Sequence, residues 1–150
     1  MNAATVWFFA YGSNMSRATM QQRAGQLLDM QPGRLENYTL VFNKMVRGGS
    51  AEANIQTSRG ETVHGVLYRV PESALRLLDR STGAPDHYRR IQLDVTGASG
   101  SPVSAHVYIA SKVGKGLRPA AHYLQTLLRG AGEHGLPADY IAVIKAAAGA

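Results

Sequence analysis

Seven residues close to the amino terminus, Phe9-Ala10-Tyr11-Gly12-Ser13-Asn14-Met15, have the types and spacing best suited to chemistry in this chain of 150 residues. They follow Thr5-Val6-Trp7-Phe8, which is β-branched and aromatic enough for a strand, and precede Ser16 to Arg23, which reads as a helix. A strand-to-helix turn containing Gly12 lets a ligand reach the backbone without meeting a Cβ atom. The following helix points unpaired N–H groups into the turn, and its dipole favours negative charge there. A carboxylate or a developing oxyanion therefore suits Gly12, Ser13 and Asn14. The same residues also suit an ordinary turn in which Asn14 or Ser16 caps the helix, and spacing alone leaves both readings open.

Other chemistries find less support. The chain has no cysteine, which excludes disulfides, thiolate metal sites and cysteine nucleophiles. His64, His87, His106, His122 and His134 lack metal-ligand spacing, so no metal and no cofactor is expected. Neither a phosphate-binding glycine pattern nor a G-x-S-x-G elbow occurs. No His and Asp are placed to activate Ser13, whose hydroxyl reads better as a ligand donor.

The 16 Lys and Arg against 10 Asp and Glu leave a charge of +6, spread along the chain with Arg89-Arg90 the only adjacent basic pair. Without a basic arm or an aromatic-interleaved patch, this surplus argues for attracting small anions rather than nucleic acid. The amino terminus carries no signal-peptide pattern and no apolar run approaches membrane-spanning length, so a cytoplasmic protein with no membrane partner is expected.

The elements that must position the turn are mostly strands. Gly33 to Glu36 and Tyr38 to Asn43 read as extended, with Tyr38, Leu40 and Phe42 on one face. Ala51 to Gln56 reads as a short strand with Glu52 and Asn54 sharing a face, and Gly60 as a turn before the strand Thr62 to Val70. Pro71 then opens a helix to about Arg80, with Leu75, Leu77 and Leu78 inward, and Ser81 to Pro85 forms a loop. Two further strands, His87 to Val95 and Val103 to Ala110, precede two helices, from about Pro119 to Gly130 and from Pro137 to Ala148. One α+β domain over residues 1–150 is the expectation.

The turn resembles the F-A-Y-G-S-N-[LM] signature of the gamma-glutamylcyclotransferase family, and further landmarks follow in register. Tyr38-Thr39-Leu40-Val41-Phe42, Ala53-Asn54-Ile55, His64-Gly65-Val66-Leu67-Tyr68, Leu77-Leu78-Asp79 and His87-Tyr88-Arg89-Arg90 each resemble a family segment. Tyr123, seven residues before Gly130-Ala131, and Gly135-Leu136-Pro137-Ala138-Asp139-Tyr140 complete the series. The resemblance implies a small mixed β-barrel flanked by helices, with a cavity at the Y-G-S-N turn. It also implies a small-molecule γ-glutamyl-like ligand, cyclised there to 5-oxoproline, with Tyr11, Gly12, Ser13, Asn14, Tyr88 and Tyr123 as binding residues. Tyr88 and Tyr123 suit barrel core as well as cavity lining, and a surface role is expected for Arg89 and Arg90. The leaving amine and the oligomeric state are not specified.

One departure matters. The family's general base is a Glu in L-D-x-x-E-G, and here Leu78-Asp79-Arg80-Ser81-Thr82-Gly83 puts Thr82 at that position. A threonine hydroxyl has no useful basicity near neutral pH. Asp86, four residues on, and Glu52, which shares a strand face with Asn54, are the candidate substitutes; Asp79 also suits a buttress at the helix end. The alternatives are a non-catalytic protein that binds a γ-glutamyl-like ligand on the same scaffold, or a different substrate that needs less base assistance.

Overall fold

The alternating and continuous apolar runs of the first two thirds of the chain form a barrel in the computed structural model, which describes residues 4–149. Strand β1 (Thr5–Ala10) leads through a 3-10 turn (Ser13–Met15) into α1 (Arg17–Ala24), and two long strands follow, β2 (Asp29–Met45) and β3 (Ala51–Pro71). Helix α2 (Ala74–Thr82), strands β4 (Tyr88–Thr96) and β5 (Pro102–Ala110), and helices α3 (Ala121–Glu133) and α4 (Ala138–Ala147) complete the order. The strands close in the order β1-β3-β2-β4-β5, antiparallel except where β5 meets β1 in parallel. This is the small mixed barrel with flanking helices that the resemblance implied. Phe9, Ile55, Val66, Leu67, Tyr68, Val95 and Val107 are fully or almost fully buried in its core. None of the helices among the described residues is long and apolar enough to cross a membrane.

Several element boundaries differ from the sequence expectation. The two extended segments on either side of Asn37 are one strand, and Gly60 lies inside β3 rather than in a turn. The β2–β3 ladder steps from Glu36–Thr62 to Tyr38–Thr57, so Asn37 alone faces the four residues 58–61. Asn37 (φ 67) and Gly60 (φ 84) both adopt the left-handed region, and the Asn37 side-chain oxygen accepts the Gly60 N–H at 3.1 Å. Asparagine and glycine tolerate that conformation, so the irregularity is absorbed as a bulge and pairing resumes on both sides.

Pro71 is the last residue of β3, paired with Thr5, and does not open the helix, which begins three residues later. Ser81 and Thr82, expected in a loop, are the last turn of α2. Their hydroxyls bond back to the Leu78 carbonyl at 3.1 and 2.9 Å, and Gly83 (φ 75) supplies the left-handed C-cap. Leu75 and Leu78 face inward, but Leu77 is 42% exposed, because a helical step of two residues from Leu75 turns it to the far side.

Helix α3 packs against the 3-10 turn with Leu127, Gly130 and Ala131. A Cβ at Gly130 would sit 2.3 Å from the Ser16 nitrogen and 2.4 Å from the Met15 carbonyl carbon, so only glycine permits this approach. The Tyr68 hydroxyl donates to the Met15 carbonyl at 2.9 Å from the barrel side. The turn is thus held from both sides, and it lies between the barrel mouth and α3.

Candidate functional site

The two hydrogen bonds of the 3-10 turn run from Met15 N–H to the Gly12 carbonyl (3.0 Å) and from Ser16 N–H to the Ser13 carbonyl (3.1 Å). The N–H groups of Gly12, Ser13 and Asn14 therefore take no part in the turn's own bonding. The cap of α1 is Ser16, whose hydroxyl accepts the Thr19 N–H at 3.4 Å. Asn14 is left for another purpose: its side-chain oxygen accepts from Arg23 Nη1 at 2.8 Å, and the Ser13 hydroxyl accepts from the same nitrogen at 3.0 Å.

These residues wall one side of a cleft of about 100 Å³ at the barrel mouth. Tyr11, Gly12, Ser13, Asn14, Tyr88 and Tyr123, expected there from the sequence, all line it, and so do Glu52 and Thr82. Glu52 is the single carboxylate among the described residues that line the cleft. Asp86 is exposed in the loop between α2 and β4 and does not line it.

The tyrosines are fixed by their hydroxyls. Tyr11 donates to the Tyr108 carbonyl at 2.6 Å. Tyr88 donates to the Ala53 carbonyl at 2.7 Å, while the Ala53 N–H donates to the Tyr123 hydroxyl at 2.9 Å. Phe42 is the ladder partner of Ala53. Because both polar groups of Ala53 go to tyrosines, this is a non-hydrogen-bonded pair, and the two phenols stand where a further strand would otherwise sit. Burial pushes the pKa values of Tyr11, Tyr88 and Tyr123 well above the usual phenol range, so all three are neutral hydroxyls near pH 7. The Glu52 carboxylate adds to the upward shift of all three, and the Arg23 guanidinium opposes it at Tyr88 and Tyr123.

Asp79 is a buttress. Arg90 Nε and Nη2 grip its two carboxylate oxygens at 2.8 and 3.1 Å, and the Tyr108 hydroxyl donates to Oδ1 at 2.6 Å. These bonds outweigh the desolvation that would raise its pKa and hold the carboxyl below the usual range. The surface role expected for both arginines therefore holds only for Arg89, which is exposed; Arg90 is half-buried in this pair. Thr82 Oγ1 points its bond at the Leu78 carbonyl, with the Asp79 carbonyl at 3.2 Å.

Sequence reasoning passed over Arg23, Tyr108 and Lys44. Tyr108 shares the strand face of His106 and Ala110, a pattern with no signal for a cavity. Lys44 is 4% exposed, lies opposite Glu52 in the β2–β3 ladder, and places Nζ 3.0 Å from His87 Nδ1 and 5.7 Å from the centre of the Tyr88 ring. Burial lowers its pKa. Arg23 has a readable sign only in hindsight, as the one cation in the last turn of the helix that follows the 3-10 turn.

Comparison with known proteins bears on the family and the fold. A profile of the AIG2-like family matches residues 62–144. The chain is 28% identical over 149 residues to gamma-glutamylcyclotransferase of Mus musculus, spanning 95% of this chain and 78% of that protein. It is 28% identical over 140 residues to the Bos taurus gamma-glutamylcyclotransferase, spanning 89% and 73%. A solved gamma-glutamyl cyclotransferase superimposes with a TM-score of 0.87 at 26% identity, over 95% of this chain and 88% of that one. Profile, relatives and fold converge on one assignment: the chain belongs to the AIG2-like, gamma-glutamylcyclotransferase-like family.

Proposed function

We propose that the cleft takes a small molecule bearing a γ-glutamyl group and cyclises it to 5-oxoproline, with Glu52 as the general base. The observation that carries this reading is that Glu52 is the single carboxylate among the described residues lining the cleft. Glu52 takes a proton from the substrate's α-ammonium, and the freed amine attacks the γ-carbonyl carbon. Charge on the carbonyl oxygen is met by the N–H groups of Gly12 to Asn14, which are preorganised by the turn. The intermediate collapses as the γ-amide C–N bond breaks and the Glu52 carboxyl returns the proton to the departing amine; the ring nitrogen's remaining extra proton then passes through Glu52 to that amine, which leaves as an ammonium. Holding the chain folded supplies much of the acceleration, since attack is intramolecular. The lack of cysteine fits a reducing, cytoplasmic setting.

Incubation with γ-glutamyl amino acids and γ-glutamyl amines, with 5-oxoproline measured, tests the reading. Glu52→Gln is expected to lose on the order of 10²- to 10⁴-fold in rate, the range for removing a general base. Asp86→Asn is expected to keep the wild-type rate. Full activity in Glu52→Gln would exclude Glu52 as the base.

A second reading is favoured by Thr82, whose hydroxyl is committed to the helix backbone at the family's base position. On it, the protein binds a γ-glutamyl-like, carboxylate-bearing ligand without turning it over. Saturable binding with no 5-oxoproline formed, together with activity gained in Thr82→Glu, would select this reading over the first.

A further inference from the structure

We infer that Arg23 selects the charge of the occupant: it holds a carboxylate at the cleft wall and, opposite in sign to Glu52, makes the cleft complementary to a zwitterionic α-amino-acid head group. The inference rests on the reading that the cleft takes a γ-glutamyl compound, and it names the residue that orients the glutamyl end.

Arg23 lies in the last turn of α1, which returns over the 3-10 turn and brings the guanidinium to the cleft lining. Its Nη1 is tied to two oxygens, Ser13 Oγ at 3.0 Å and Asn14 Oδ1 at 2.8 Å. An arginine carries five N–H donors in a rigid fork, so tying Nη1 fixes the plane of the whole group. Among the described residues, Nε and Nη2 meet no protein acceptor. That edge is the shape that takes both oxygens of a carboxylate.

Glu52 supplies the opposite charge within the same lining. The fields of both groups reach the same two hydroxyls, those of Tyr88 and Tyr123, with opposite effect. An ammonium and a carboxylate on one α-carbon are a dipole of the matching sense. The ammonium goes to Glu52, where the proposed proton transfer begins, and the carboxylate to Arg23.

L-5-oxoproline and its carboxamide test Arg23 with any contact to Glu52 held in common, since both carry the same lactam N–H and no α-ammonium and differ in the charge of one group. Titration of each into the wild-type protein, followed by NMR or calorimetry, requires no turnover. The wild type is expected to bind the carboxylate at least about tenfold more tightly than the carboxamide, the scale of a charge-assisted hydrogen bond. Raising the salt is expected to shrink that preference. Arg23→Met, checked for wild-type thermal unfolding, is expected to bind the two probes equally, and Arg23→Lys to recover part of the preference. An arginine that only tied down the turn would weaken both probes alike. Equal binding of the two probes by the wild type, or an undiminished preference in Arg23→Met, overturns the inference while leaving the Glu52 reading standing. If the wild type binds neither probe, the γ-glutamyl reading of the cleft falls together with it.

Discussion

Replacing Gly130 by alanine tests how the 3-10 turn is held. The added Cβ would lie 2.3 Å from the Ser16 nitrogen, and real Cβ contacts essentially never fall under 3.0 Å. The contact is with backbone, so no side chain can swing away, and α3 must retreat by about 0.7 Å to reach even that limit. Overpacking of this kind costs about 1–3 kcal/mol. The helix-propensity gain of Gly→Ala offsets up to about 1 kcal/mol of it. With the full offset, a net loss of up to about 2 kcal/mol lowers Tm by up to roughly 8 °C in a chain of this size.

The displacement also reaches the cleft. Tyr123 lies seven residues earlier on the same helix, and its 2.9 Å bond with the Ala53 N–H has little slack. Ligand binding should therefore weaken together with stability. Gly132→Ala is the control, because a Cβ there meets nothing within 4 Å. It should raise stability by up to about 1 kcal/mol, through propensity alone. Thermal and urea unfolding of the pair measures both signs. A Gly130→Ala protein as stable as Gly132→Ala would refute the packing argument.

Other expectations concern single groups. Tyr123→Phe leaves the Ala53 N–H without its acceptor, which should cost about 1–3 kcal/mol in urea unfolding and speed amide exchange at Ala53; unchanged exchange there would contradict the bond. Burial and nearby arginines hold the pKa values of His64 and His106 below the usual histidine range, so unfolding binds protons as the pH falls through about 6.5. Stability should therefore be level from about pH 7 to 9 and fall below about 6.5, and the double variant His64→Gln, His106→Gln should flatten that slope. Asp79 acts in a lower window: its pKa is depressed in the folded state, so its contribution is present above about pH 4 and fades as the pH falls through the folded value. Asp79→Asn should lose stability at neutral pH yet show less further loss below pH 4.

Much of the cleft was legible because its residues lie on short, locally determined pieces. Tyr11 to Asn14 form one turn, and Tyr88 and Tyr123 keep their distance from recognisable neighbours. Glu52 was a candidate only through sharing a strand face with Asn54, which bonds Asn43 and the Ala110 N–H and does not itself line the cleft. Asp86 and Glu52 were indistinguishable in sequence, since which acid faces a cavity depends on how the β2–β3 ladder and the loop after α2 are aimed. Arg23 was hidden for the same reason, as its contact with Ser13 and Asn14 needs α1 to fold back on its own leading turn. The pairing of Arg90 with Asp79 joins a strand to a helix end, and no local pattern encodes it. Gly60 and Pro71 misled because each ordinarily ends a strand, whereas here a bulge and the final ladder pair accommodate them.

The bonds to Ala53 have a consequence for the two phenols that meet it. Tyr88 spends its only proton on the Ala53 carbonyl, so what it can offer an occupant is lone pairs. Tyr123 receives the Ala53 N–H, so that bond leaves its own proton unspent. One strand residue thus sorts two chemically identical side chains into an acceptor and a donor, and so imposes a handedness of hydrogen bonding on whatever lies between them. An amide has the same two-sided character, with an N–H to give and a carbonyl to receive. A ligand that presented two donors or two acceptors across that gap would leave one phenol unmatched, and phenylalanine at 88 or at 123 would remove opposite halves of the discrimination.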